Sequence, residues 1–187
     1  MMSGYLVPNP QDHWRSLPVI NQIMFDWLSD KGVAPLSVGS GINSPLKVVC
    51  GNCAADGWFD TCPAGDPHIG ILVEDRAGPI DVAFWHPRSG KTATLLNYGF
   101  ALGEHLIDNP GVDSFHGALK IHANPVEWLR AGRDGIVILD WTGAFDRLRD
   151  CPRIAVDEPL LEKYRAAMQP PHMPDLFVMT DSEEAAA

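Results

Sequence analysis

His68-Ile69-Gly70-Ile71-Leu72-Val73, then Arg76-Ala77-Gly78-Pro79, then Ile80-Asp81-Val82-Ala83-Phe84-Trp85 is the stretch whose reading decides the fold. Two short apolar runs rich in strand-forming residues flank a turn made of glycine and proline, which is the signature of a hairpin. So short a link cannot carry a parallel crossover, so the pairing is antiparallel. Asp81 alternates with Val82 along the second strand, which predicts a carboxylate facing water.

Upstream, the segment from Gly32 to Gly78 is rich in glycine, proline and serine, and Leu46-Lys47-Val48-Val49-Cys50 reads as a further strand within it. Before that, Trp14, Leu17, Ile20, Ile23, Met24, Trp27 and Leu28 recur at three- and four-residue steps between Pro10 and Lys31. That spacing draws one apolar helical face, of the kind that packs on a core. Lys31-Gly32 is a stop signal, and Pro18 interrupts the pattern, so the regular helix is predicted to begin near Pro18 after a separate turn.

Downstream, a strand is predicted at Thr92–Leu96, followed by a short helix up to His105. Ala118–His122 reads as a strand, and Pro125–Ala131 as a short helix capped by Asn124. Gly135–Asp140 has the composition of a buried strand, Gly143–Arg149 of a helix and Arg153–Val156 of a strand. A last helix over Pro159–Met168 is ended by Gln169-Pro170-Pro171. The expectation is an α+β protein: an antiparallel, hairpin-rich sheet packed with an N-terminal amphipathic helix, and a back half of short alternating strands and helices. One domain is expected over residues 1–180, with 181–187 as a solvated acidic tail.

Composition bounds the function. With 45 % hydrophobic and 20 % charged residues in 187, the chain is globular. Its formal charge of −10, from 24 acidic and 14 basic residues, argues against direct nucleic-acid binding and suits a basic protein partner. The six tryptophans read as core, because a base-stacking surface needs interleaved Lys or Arg. No run approaches the roughly 20 apolar residues of a membrane span, and Met1-Met2-Ser3-Gly4-Tyr5 lacks the basic and apolar regions of a secretory signal. A cytoplasmic protein without membrane attachment is therefore expected, its four cysteines being reduced thiols or metal ligands.

Cys50-x2-Cys53-x8-Cys62-x5-His68 is the candidate metal motif, since three thiols and an imidazole supply a full tetrahedral shell for structural zinc. Cys50-Gly51-Asn52-Cys53 has knuckle character, the glycine letting two thiolates from one tight turn face one ion. Burial of these thiols as small apolar groups is the plainer reading. A redox dithiol would want a helix after Cys53, where the chain reads Ala54-Ala55-Asp56-Gly57.

Ser89-Gly90-Lys91-Thr92 matches the end of a phosphate-binding loop, and Ile136–Asp140 imitates its acidic partner strand. Trp85 stands where the loop needs its first glycine, however, and Pro87 removes a donor, so a hairpin turn is the expectation. His105, His116 and His122 with Glu104 are a further set of metal-competent groups, but at no helical ligand spacing.

Ile80-Asp81-Val82-Ala83-Phe84-Trp85-His86-Pro87, followed by Asn124-Pro125-Val126-Glu127-Trp128-Leu129-Arg130-Ala131-Gly132-Arg133-Asp134-Gly135-Ile136-Val137-Ile138-Leu139-Asp140, resembles a group of uncharacterised proteins carried by phages and other mobile elements of proteobacteria. The likeness spans positions 80 to 157. It implies an origin and no catalytic residues, and it makes Gly90-Lys91-Thr92 incidental. The functional expectation is a non-enzymatic accessory protein that binds a host or phage protein, an anti-defence inhibitor being one concrete form. The alternative is a small zinc-binding or metal-dependent enzyme using Cys50, Cys53, Cys62 and His68, or a degenerate nucleotide-binding loop protein.

Overall fold

A computed structural model describes residues 9–39, 45–109 and 117–170. The expected acidic tail at 181–187 and His116 lie outside the described residues. The chain opens on two short helices, α1 (Pro10–Ser16) and α2 (Gln22–Asp30). Asn9 starts the first, its side chain accepting from the N–H groups of Gln11 and Asp12, and Asn21 caps the second through Met24 N–H. Pro18 separates them. Instead of leaving only a turn before it, the break divides the amphipathic pattern into two helices, and the linker docks on the sheet through Val48 N–H to Pro18 O and Ile20 N–H to Leu46 O. Gly32, with φ 81°, ends α2 in a left-handed cap closed by Val33 N–H to Leu28 O.

After a third short helix, α3 (Pro35–Gly39), come β1 (Lys47–Cys53), β2 (Phe59–Thr61), β3 (Asp66–Glu74), β4 (Pro79–Trp85) and β5 (Thr92–Thr94). They form one antiparallel sheet in the order β2-β1-β3-β4-β5. The β3–β4 hairpin expected from sequence is its centre. One face, through Ile69, Ile71, Val73, Ala83 and Trp85, packs on Leu28 of α2. The other, through Val82, Phe84, Phe59 and Ala93, packs on Trp14 of α1 and on Leu17. Both faces of β4 are therefore covered.

The back half adds β6 (Ala101–Leu102), a 3-10 turn over Glu104–Leu106, β7 (Leu119–Ile121), α4 (Pro125–Arg130), β8 (Val137–Ile138), α5 (Ala144–Leu148), β9 (Ile154–Val156) and, after a second 3-10 turn, α6 (Leu161–Ala167). β6 pairs with β8 antiparallel, and β7 runs parallel to β9, with α4, β8 and α5 between them in sequence. Trp128 and Leu129 of α4 and Val137 of β8 join the same core as Leu28 and Ile71, so the two halves share an interior. Trp128 donates its indole N–H to Gly135 O at 2.8 Å, whereas Trp14 and Trp85 find no partner for theirs among the described residues.

Asp81 corrects the sequence expectation. Its side chain is fully buried, not wet, and its two oxygens accept four backbone N–H groups: Val82 at 2.8 Å, Leu96 at 2.9 Å, Tyr98 at 2.8 Å and Gly99 at 3.1 Å. The carboxylate thus pins the chain leaving β5 against the central hairpin. Asp81→Asn keeps the shape but turns an acceptor into a donor facing N–H groups. It should cost about 3 kcal/mol, as expected for losing buried charge-assisted bonds, read as a lower urea midpoint; an unchanged midpoint would refute this role.

Candidate functional site

Strand alternation decides where the four expected metal ligands go. β1 pairs with β3 so that Val49 lies opposite His68, and with β2 so that Cys53 lies opposite Phe59. Cys53 and His68 therefore point to the α1 face. Cys50, three residues before Cys53, points to the α2 face, where Cys62 faces it across the strand pair with its N–H on Cys50 O at 3.1 Å. The tetrahedral set is split two and two by the sheet. Among the described residues no group of three or more His, Cys, Asp or Glu side chains is placed to hold a metal ion.

The knuckle reading fails for a local reason. Cys50-Gly51-Asn52-Cys53 is a strand, not a tight turn, paired with β3 on one side and β2 on the other, and a Cβ added at Gly51 would collide with the Phe59 ring and the Asp60 carbonyl. Phe59 in turn stacks on Phe84 with ring centroids 4.0 Å apart and meets His68 edge-on at 4.9 Å. The glycine is there for an aromatic ring.

What the α1 face does assemble is a thiol beside an imidazole. Cys53 Sγ lies 3.4 Å from His68 Nε2, and His68 Nδ1 lies 2.8 Å from the Asp66 carbonyl oxygen. A carbonyl only accepts, so the ring proton of His68 sits on Nδ1, and Nε2 is the acceptor presented to the thiol. Beside it, with centroids 4.9 Å apart, is His86. Its Nδ1 accepts the backbone N–H of Ser89 at 3.1 Å, so its own proton is on Nε2, which lies 3.8 Å from Asp66 Oδ2. Asp66 thus serves both rings, one through its main chain and one through its side chain.

These groups line a cleft of about 260 Å³ at the end of the sheet, together with Lys91 and Ser89. Burial pushes the Cys53 thiol up, against the pull of the Lys91 charge. Burial also lowers the His68 pKa, more than the Asp66 carbonyl raises it. Thiol and imidazole therefore rest neutral. Around the same end a second cleft of about 200 Å³ is lined by Ile23, Met24 and Trp27 of α2 and by Pro67, Ile69, Pro87 and Arg88, with Asp66 and His86 shared with the first cleft.

The other motifs take structural roles. Ser89-Gly90-Lys91 belongs to the turn between β4 and β5, closed by His86 N–H to Lys91 O and Gly90 N–H to His86 O, and it leads at Thr92 into a strand where a phosphate loop leads into a helix. Glu104 is buried and accepts from the N–H groups of Phe100 and Ala101 while pairing with Arg147. His122 is held on Asp134 O at 2.8 Å, and His105 is exposed. Sequence reasoning missed His86, Asp66 and Lys91 as neighbours of Cys53, because only the strand register brings them together.

No known family model, curated protein or solved structure matches the chain.

A buried imidazole with a lowered pKa binds its proton less readily folded than unfolded. Its contribution to stability is present above the unfolded value of about 6.5 and is lost as the pH falls through that value towards the folded one. His13, also lowered by burial, has the same sign. The urea midpoint should drop between pH 7 and pH 5, and His68→Gln should flatten that drop; equal slopes in both proteins would show that His68 is not the responsible group.

Proposed function

We propose that the protein is an accessory protein of a phage or mobile element that acts by binding a host or phage protein, with the apolar cleft on the α2 face as the contact surface. The observation that carries this reading is Ile23, 79 % exposed on α2 and set beside Met24 and Trp27 at the mouth of that cleft. A bare isoleucine beside a tryptophan is the kind of patch that a partner's apolar side chain covers. Asp26 and Asp30 are exposed on the same helix, and the whole chain carries −10. Both favour a basic partner that offers an apolar anchor flanked by Lys or Arg. The resemblance of residues 80–87 and 124–140 to mobile-element proteins supports the setting, in which an anti-defence inhibitor is one concrete form. No helix among the described residues is long and apolar enough to cross a membrane.

The zinc-dependent alternative on Cys50, Cys53, Cys62 and His68 loses its support with the division of those residues across the sheet. The nucleotide alternative loses it with the hairpin at Gly90.

Ile23→Arg tests the binding reading. An exposed substitution should leave the thermal midpoint unchanged, while replacing an interface anchor should weaken binding by about 30-fold, or ~2 kcal/mol. The measurement is titration of a captured, purified partner against wild type and variant at low and high salt. A basic partner lost with Ile23→Arg and weakened by salt supports the proposal. A partner bound equally well by both proteins would refute this surface.

A further inference from the structure

We propose that Cys53 is a nucleophile activated by His68, forming a site that accepts the acyl group of a small ester or thioester. This site adjoins the proposed docking cleft, with which it shares Asp66 and His86, but Cys53 and His68 belong to it alone and it does not rest on the docking reading.

Three observations carry the assignment. Cys53 Sγ and His68 Nε2 are 3.4 Å apart, within sulfur hydrogen-bond reach. His68 is oriented from behind by the Asp66 carbonyl at 2.8 Å, so the nitrogen facing the thiol is the basic one. A nucleophile, a base and a group orienting the base are the three parts of a nucleophilic triad, here with a main-chain carbonyl in the third role. The pair also opens on a cleft, and is not sealed in a core. Cys53 is part-buried beside this imidazole, whereas Cys50 on the other face is exposed. The ammonium of Lys91 lines the same cleft and is the cationic group available to a developing oxyanion, while the Nε2–H of His86 lies beside the Asp66 carboxylate.

The chemistry balances with these groups and water. His68 Nε2 takes the proton of the Cys53 thiol as Sγ bonds to the acyl carbon. The tetrahedral oxyanion collapses, the bond to the leaving alcohol or thiol breaks, and that group takes the proton from His68. Water then adds to the acyl carbon, giving a proton to His68. The C–S bond breaks, the acid leaves, and the proton returns to Sγ. Esters and thioesters suit this site because their leaving groups depart with the single proton that His68 carries.

The full chain treated with p-nitrophenyl acetate tests this, with acetylation of each cysteine followed by peptide mass mapping across pH 5.5–8.5. Cys53 should be acetylated faster than the more exposed Cys50. Its rate should level off once His68 is neutral, whereas a plain thiol climbs about tenfold per pH unit until its own pKa. His68→Gln should slow acetylation of Cys53 by about 100-fold and leave Cys50 unchanged. Faster labelling of Cys50, or a Cys53 rate that climbs like that of a plain thiol, would overturn the proposal. Both of these readings come from the wild-type chain and so stand even where the variant does not fold.

Discussion

A buried carboxylate holds this architecture together. Asp81 sits inside a sheet covered on both faces, where an unpaired charge would cost several kcal/mol. It is tolerated because the chain beyond β5 brings three of its N–H groups back to it, joining that of Val82. The exchange works in both directions: the charge needs the loop, and the loop's donors are satisfied by the charge. Fixing Leu96–Gly99 aims Phe100 and Ala101 at β8, where Phe100 O accepts the N–H groups of Leu139 and Asp140. Glu104 repeats the device one turn later by accepting from Phe100 and Ala101 and pairing with Arg147 of α5. Two acids in succession thus connect the hairpin sheet to the back half.

Much of the fold was legible because its elements carry local signals. The β3–β4 hairpin, the cap at Asn124, the stop at Gly32 and the helices after Gly143 and Pro159 are each announced by periodicity or punctuation. β2 and β6 were not, having three and two residues, too few for any period to show. Asp81 was misplaced because alternation predicts a wet side only where a strand has one, and β4 is covered on both.

The candidate site was half legible. Cys53 and His68 were singled out, but with the wrong companions, since spacing alone does not say whether Cys50-Gly51-Asn52-Cys53 turns or extends. That choice is made by pairing with β2 and β3, after which the Phe59 ring occupies the space over Gly51. His86, Asp66 and Lys91 come from the ends of other strands, and only register places them beside the thiol.

Strand parity has a consequence for how such a chain can change over generations. Three positions separate Cys50 from Cys53, and an odd step on a strand sends the two thiols to opposite sides. A single inserted residue between them, taken up as a one-residue shift of the strand and not absorbed in a bulge, would bring both to one side. The arrangement described here, a lone thiol before an imidazole, and a multi-thiolate cage are therefore neighbours in sequence space, one insertion apart.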